Sequence, residues 1–140
     1  MYDRILVPTD GSDHAERAME AALEMAGQDT EVHALHVIDT RLYDTSIDSA
    51  VAPLRRDGER FTGRLADTAE GTGVSVTTAV ELGRPAQAIL DYVAANDVDL
   101  VVIGTRGRGG LVHRLLGSTT GYVVTHATVP VHVVPAVEKG

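Results

Sequence analysis

Residues 104–120 read Gly-Thr-Arg-Gly-Arg-Gly-Gly-Leu-Val-His-Arg-Leu-Leu-Gly-Ser-Thr-Thr, a stretch in which glycines, arginines and hydroxyls alternate. Glycine lets backbone N–H groups approach an anion closely, and a turn of successive amides forms an anion nest. Ser118 and Thr119 would then open a helix, and a helix N-terminus favours phosphate. Arg106 and Arg108 add positive charge to the same place, and the alternative is a solvated loop. A second candidate is Pro8-Thr9-Asp10-Gly11-Ser12, which follows an apolar run. Asp10 could accept hydrogen bonds from a ribose or base, or lie near a metal. Equally, Asp10 and Ser12 could only satisfy turn amides and cap the next helix.

The charge distribution points to the same glycine-rich segment. The net charge is −8, with 20 acids against 12 bases. Residues 100–137 carry no acid but hold Arg106, Arg108 and Arg114, whereas the preceding part is strongly acidic. The cationic segment of an acidic chain is where a bound anion is expected. Overall acidity opposes binding to nucleic acid or to an anionic membrane. No tryptophan and one phenylalanine make a base-stacking platform a poor reading. Bases are arginine apart from Lys139, and aspartate exceeds glutamate. This suits either a salt-adapted, halophilic source, where dense carboxylates need counterions, or a genome rich in arginine codons.

Other chemistries fail on residue type. The absence of cysteine excludes disulfides, thiol nucleophiles and cysteine zinc sites. With Lys139 the sole lysine, a P-loop GxxxxGK[ST] cannot be formed. The dinucleotide pattern GxGxxG fails from Gly107 and Gly109, because Val112 stands where the third glycine belongs. The actual spacing is Gly104-x2-Gly107-x9-Gly117-Ser118. His14, His33, His36, His113, His126 and His132 show no compact metal spacing and read as structural. His113 and Arg114 are the exceptions, as neighbours of an anion. Asp44 and Asp48 read as solvated, and no Ser–His–Asp arrangement emerges. No apolar run approaches the length of a membrane span and no targeting segment leads the chain, so a soluble cytoplasmic protein is expected.

The elements that must position these residues alternate. Arg4–Pro8 reads as a buried strand and 13–26 as a helix with Ser12 or Asp13 as cap. Glu31–Asp39 is a strand, 40–49 a loop, and Val51 to Ala69 a long helix whose Gly58 and Gly63 weaken its middle. Val74–Leu82 alternates as a strand, Pro85 starts a third helix, and Leu100–Ile103 is a strand apolar on both faces. Residues 118–127 are ambiguous, since Thr, Val and Gly disfavour a helix that only context supports. Val129–Val134 is the last strand. The expected fold class is α/β: one doubly wound, Rossmann-like domain over 1–140, with a five-stranded parallel sheet of order 3-2-1-4-5 and helices on both faces. In such a sheet ligands bind beyond the strands' carboxyl ends, where strand order reverses.

With ILVPTDGS at 5–12, HVID at 36–39 and the glycine spacing between the last two strands, nearly the whole chain resembles the universal stress protein family, in its ATP-binding branch. The resemblance implies ATP with Mg²⁺ held mainly by phosphates and water. Asp10, with backbone at Pro8 and Thr9, would meet the adenine and ribose end, and Val37 would line the adenine pocket. Ile103 and Gly104 would lie near the ribose, and Gly107 would let the triphosphate pass close to backbone. Gly117, Ser118, Thr119 and Thr120 would bind phosphate oxygens; Arg106, inside the variable part of the motif, is included for its charge. The helix after Gly117 is usually charged in this family, and TTGYVVTHA departs from that, which suits a face buried against a partner.

The implied role is a nucleotide-dependent stress-response module acting through unknown protein partners, without evident catalytic residues. A slow ATPase or ATP-using transferase is the enzymatic alternative, and the missing lysine at the phosphates argues against the transferase. A dimeric scaffold without nucleotide is the third reading, and the intact glycine spacing argues against it. The apolar strand 129–134 would lie at a sheet edge and need cover, and the resemblance implies a homodimer through it.

Overall fold

Ile5, Leu6 and Val7 are completely buried, as a strand covered on both faces must be. They form the middle of β1 (Arg4–Pro8) in a computed structural model that describes residues 1–105 and 117–135. The chain continues through α1 (Asp13–Met25), β2 (Glu31–Asp39), α2 (Asp48–Ala69), β3 (Ser75–Gly83), α3 (Pro85–Ala95), β4 (Leu100–Gly104), α4 (Ser118–His126) and β5 (Val131–Val134). The five strands pair in parallel in the order β3-β2-β1-β4-β5, as expected.

Period-two alternation divides the core between the faces. Ile5, Val7, Val32, Ala34, Leu100 and Val102 pack with Ala18, Met19 and Ala22 of α1 and Leu65 of α2. Leu6, Leu35, Val101 and Ile103 pack with Ile89, Tyr92 and Val93 of α3 and Val123 of α4. His33 and His36 obey the same alternation. His33 turns to α3, its Nδ1 2.6 Å from the Tyr92 hydroxyl and its Nε2 against Glu31, while the His36 ring packs edge-on against Phe61 of α2.

The departures from expectation are local. α2 starts at Asp48, inside the expected 40–49 loop, with Ala50 and Val51 N–H both bonding to the Ile47 carbonyl. β5 begins at Val131 rather than Val129. Pro130 has no N–H for the ladder, although its carbonyl accepts from Val101 N–H at 3.0 Å. The ambiguous segment 118–127 is helical despite weak propensity, because tertiary contacts hold it: Val123 is fully buried and Thr120 is hydrogen-bonded to β4. Among the described residues no helix is long and apolar enough to cross a membrane.

The two glycines of α2 have opposite surroundings. A Cβ on Gly58 would fall 2.8 Å from His36 Cδ2 and 3.0 Å from Val80 Cγ2, so this glycine sets how closely α2 lies on β2 and β3. A Cβ on Gly63 would meet nothing within 4 Å. Gly58→Ala is therefore expected to lower stability by about 1–3 kcal/mol through overpacking. Gly63→Ala should raise it by about 0.5–1 kcal/mol through helix entropy. Urea unfolding of both variants checks the pair of opposite signs.

Candidate functional site

The register of the strands builds a crevice at one end of the sheet. β1 stops at Pro8, opposite Leu35 of β2, and β2 runs on to Asp39 paired with Gly83 of β3. Val37 therefore stands on a wall that overhangs the end of β1, on the α3/α4 face. On the other side Ile5 pairs with Leu100 and Leu6 with Val101, a register that puts Gly104 level with Thr9. Strand order reverses between β1 and β4, the position at which doubly wound sheets take ligands.

The β1–α1 turn carries Thr9, Asp10 and Gly11. Buried Thr9 donates its N–H to the Leu35 carbonyl (2.8 Å), and its hydroxyl accepts from Gly11 N–H (3.1 Å). Asp10 Oδ1 accepts from Ser12 N–H (3.0 Å), and Ser12 Oγ caps α1 by accepting from Ala15 N–H (3.2 Å). The turn-and-cap role foreseen for Asp10 and Ser12 is thus real. Gly11 takes φ +81°, a conformation that suits glycine.

The β4–α4 side is tied down by three bonds. Thr120 Oγ1 donates to the Gly104 carbonyl (2.7 Å), Gly117 N–H to the Thr105 carbonyl (2.8 Å), and Thr105 N–H to the Val134 carbonyl (3.2 Å). α4 therefore begins directly over the end of β4. Its N-cap, Gly117, offers no side-chain bond, and its first turn contains no acid. First-turn amides lack intrahelical acceptors, so Ser118, Thr119 and Thr120 present N–H groups at a positive dipole end. α1, across the crevice, carries Asp13 and Glu16 in its own first turn. Both helix N-termini carry a positive dipole end, but α1's is offset by its own acids, so the α4 end is the one suited to an anion.

The register puts Pro8 and Thr9 level with Ile103 and Gly104, Gly117 and Thr120 tie the first turn of α4, with Ser118 and Thr119 between them, to the end of β4, Asp10 stands in the turn after β1, and Val37 is on the flanking wall. Arg106 and Gly107, like Arg108, His113 and Arg114, lie outside the described residues. Asp39, the last residue of HVID, is engaged by Arg41, whose Nε and Nη2 donate to Oδ1 and Oδ2 at 3.0 and 2.7 Å. These bonds hold its carboxyl below the usual carboxylate range, and Arg84 adds to the effect. Among the described residues no group of three His, Asp or Glu side chains could hold a metal ion.

Sequence reasoning missed His14 as a neighbour of this crevice. A Cβ on Gly104 would fall 2.8 Å from His14 Cβ and 2.9 Å from its carbonyl oxygen, and His14 Nδ1 lies 3.4 Å from Thr105 Oγ1. Its partner is 91 positions away, and no spacing signals it.

The fold defines an open doubly wound α/β protein in which α4 starts, without an acid in its first turn, beside the point where strand order reverses. The family model of the universal stress protein family matches residues 1–135. A universal stress protein of Methanocaldococcus jannaschii is 33% identical, over 99% of this chain and 85% of its own length. The chain belongs to the universal stress protein family. The solved structure of hypothetical protein MJ0577, a universal stress protein of the same organism, superposes with a TM-score of 0.89 at 29% identity, over 99% of both chains. Two more distant structures share the fold. One is a universal stress protein in complex with cAMP, with TM-score 0.75 and 23% identity over 95% of this chain and 97% of its own. The other is an Arabidopsis thaliana family protein with AMP bound, with TM-score 0.69 and 20% identity over 96% and 92%.

Thr120, 4% exposed, is the bolt between α4 and β4. Thr120→Val keeps the shape but removes the donor from a buried carbonyl, and should lower stability by about 1–3 kcal/mol. Thr120→Ser should stay close to wild type in the same urea titration.

Proposed function

We propose that this protein binds ATP with Mg²⁺ in the crevice between β1 and β4 and acts as a nucleotide-dependent regulatory module through partners. The observation that carries the reading is the start of α4: no side-chain cap, no acid, and a first turn anchored at the end of β4 by Gly117 and Thr120. A chain of phosphates matches this donor set in charge and in hydrogen-bond sense. Gly117 to Thr120 bind phosphate oxygens, Thr120 through its N–H because its hydroxyl already donates to the Gly104 carbonyl; Arg106 and Gly107, outside the described residues, join the proposal on residue type alone. Asp10 accepts from the ribose hydroxyls, since a carboxylate is an acceptor-only group at neutral pH and hydroxyls are donors. Backbone at Pro8, Thr9 and Gly104, with Ile103 and Val37, lines the ribose and adenine end. Mg²⁺ would enter with the triphosphate, held mainly by phosphates and water. The cAMP and AMP complexes of more distant relatives agree with an adenine nucleotide as the ligand class.

Freshly purified protein is denatured, and the released small molecules are separated by ion exchange with mass detection. Near-stoichiometric ATP is the expected result. Mostly ADP or AMP would shift the reading toward hydrolysis or a sensor of low energy charge. A protein that is empty and takes up no added ATP with Mg²⁺ would overturn it. Asp10→Asn keeps the turn acceptor while removing the charge, and should weaken binding by about tenfold, the scale of a hydrogen bond to a charged group.

The proposal includes a homodimer through strand 129–134. β5 lies at the sheet edge as an apolar VHVV strand, an arrangement that invites pairing with a second copy. Light scattering should find a dimer that becomes monomeric in the double variant His132→Asp, Val134→Asp. A dimer mass that persists in the variant counts against this interface.

A further inference from the structure

We infer that Arg64, on α2, is a positioning residue of the nucleotide site, holding the Asp10 turn through the Gly11 carbonyl; the inference rests on the function proposed above. Asp10 sits between two peptide groups that are both gripped from outside the turn. His36 Nδ1 lies 2.8 Å from the Thr9 carbonyl, and since a carbonyl only accepts, the ring nitrogen donates. Arg64 Nη1 donates to the Gly11 carbonyl at 3.1 Å across 53 positions of sequence. The same nitrogen gives its second proton to Glu16 Oε1 at 3.0 Å, on the first turn of α1. One guanidinium thus joins α2, the turn and the helix that the turn starts.

Phe61 completes the grip. A Cβ on Gly11 would fall 2.5 Å from Phe61 Cε1, so the ring occupies the space that glycine leaves open. The Arg64 guanidinium lies over that ring, 5.4 Å from its centroid, and the His36 ring packs on it edge-to-face with centroids 5.3 Å apart. His36, Phe61 and Arg64 form one stack behind the turn, on the α1/α2 face. The Arg64–Glu16 pair is too exposed to contribute much as an ion pair, at 36% and 44% side-chain exposure. The role of Arg64 is therefore geometric: a planar donor, oriented by the ring and by Glu16, that fixes one carbonyl. A turn free to rotate about Gly11 would carry Asp10 away from a ribose, and small misplacements of a binding group are costly.

Arg64→Met keeps the aliphatic stem on Phe61 and removes the donor; Arg64→Lys restores a flexible one. Two readouts are taken on each: amide hydrogen exchange at Gly11 and Ser12 by NMR, and the Kd for Mg-ATP by calorimetry. In Arg64→Met both exchange rates and Kd should rise about tenfold, the scale of a lost hydrogen bond to a charged donor. Exchange at Leu6 and Val7 in β1 should stay unchanged, and Arg64→Lys should recover part of both effects. Unchanged exchange at Gly11 and Ser12 in a folded Arg64→Met overturns the clamp. Faster exchange with an unchanged Kd overturns the positioning role and leaves a structural contact. A wild-type protein that binds no nucleotide overturns the proposed function instead, and the exchange rates still decide whether Arg64 holds the turn.

Discussion

Parallel strands cannot be joined by tight turns; each connection must carry the chain back along a face of the sheet before the next strand begins. Here that constraint places α1 and α2 on one face and α3 and α4 on the other, and it makes the strand order reverse between β1 and β4. At the reversal the helices that follow two adjacent strands lie on opposite faces, so among the described residues no helix crosses the gap between them. The crevice follows from the winding itself. Gly104, packed against the His14 backbone, shows how closely the two departing segments approach at its floor.

Around that gap the helix ends have unequal electrostatics. α1 starts with Ser12 bonded to Ala15 N–H and with Asp13 and Glu16 in its first turn, so its positive end is already matched. α4 starts at a glycine and has only hydroxyls. The hydroxyl of Thr120 turns inward to the Gly104 carbonyl and so trades helix propensity for position. This is why a segment with poor intrinsic preference still forms a helix: Val123 and Thr120 are buried on its inner side, and packing outweighs the few tenths of a kcal/mol per residue that propensity disfavours.

The fold was largely legible because its signals are local. Apolar runs at Ile5–Val7 and Leu100–Ile103 announce strands covered on both faces, and Ser12, Pro85 and the glycine pattern punctuate them. Boundaries failed where backbone chemistry decides, as at Pro130, or where a loop carbonyl nucleates a helix, as at Ile47. Of the candidate site, the two strand-end segments were legible from their residue types. Their supports were not. His14 meets Thr105 across 91 positions and Arg64 meets Gly11 across 53, and single-sequence periodicity carries no information about such pairs. Phe61 read only as one apolar position of an amphipathic helix; its use as the filler behind Gly11 depends on a left-handed turn elsewhere in the chain.

The acidity of the protein does not conflict with the proposed anion site, and distance is the reason. At physiological ionic strength the screening length is about 8 Å, so carboxylates farther than this from the crevice act weakly on an anion there. What acts strongly is within a few ångströms: the first-turn amides of α4 and the hydroxyls of Ser118 and Thr119, without a carboxylate in that turn. Three acids of the neighbouring segments are engaged by donors of the chain. Asp10 accepts from Ser12 N–H, Asp39 is forked by Arg41, and Glu16 is turned to Arg64. Each of these bonds draws negative charge toward a donor of the chain itself. The net charge of −8 therefore says little about the start of α4, where the residues of the first turn decide what an anion meets.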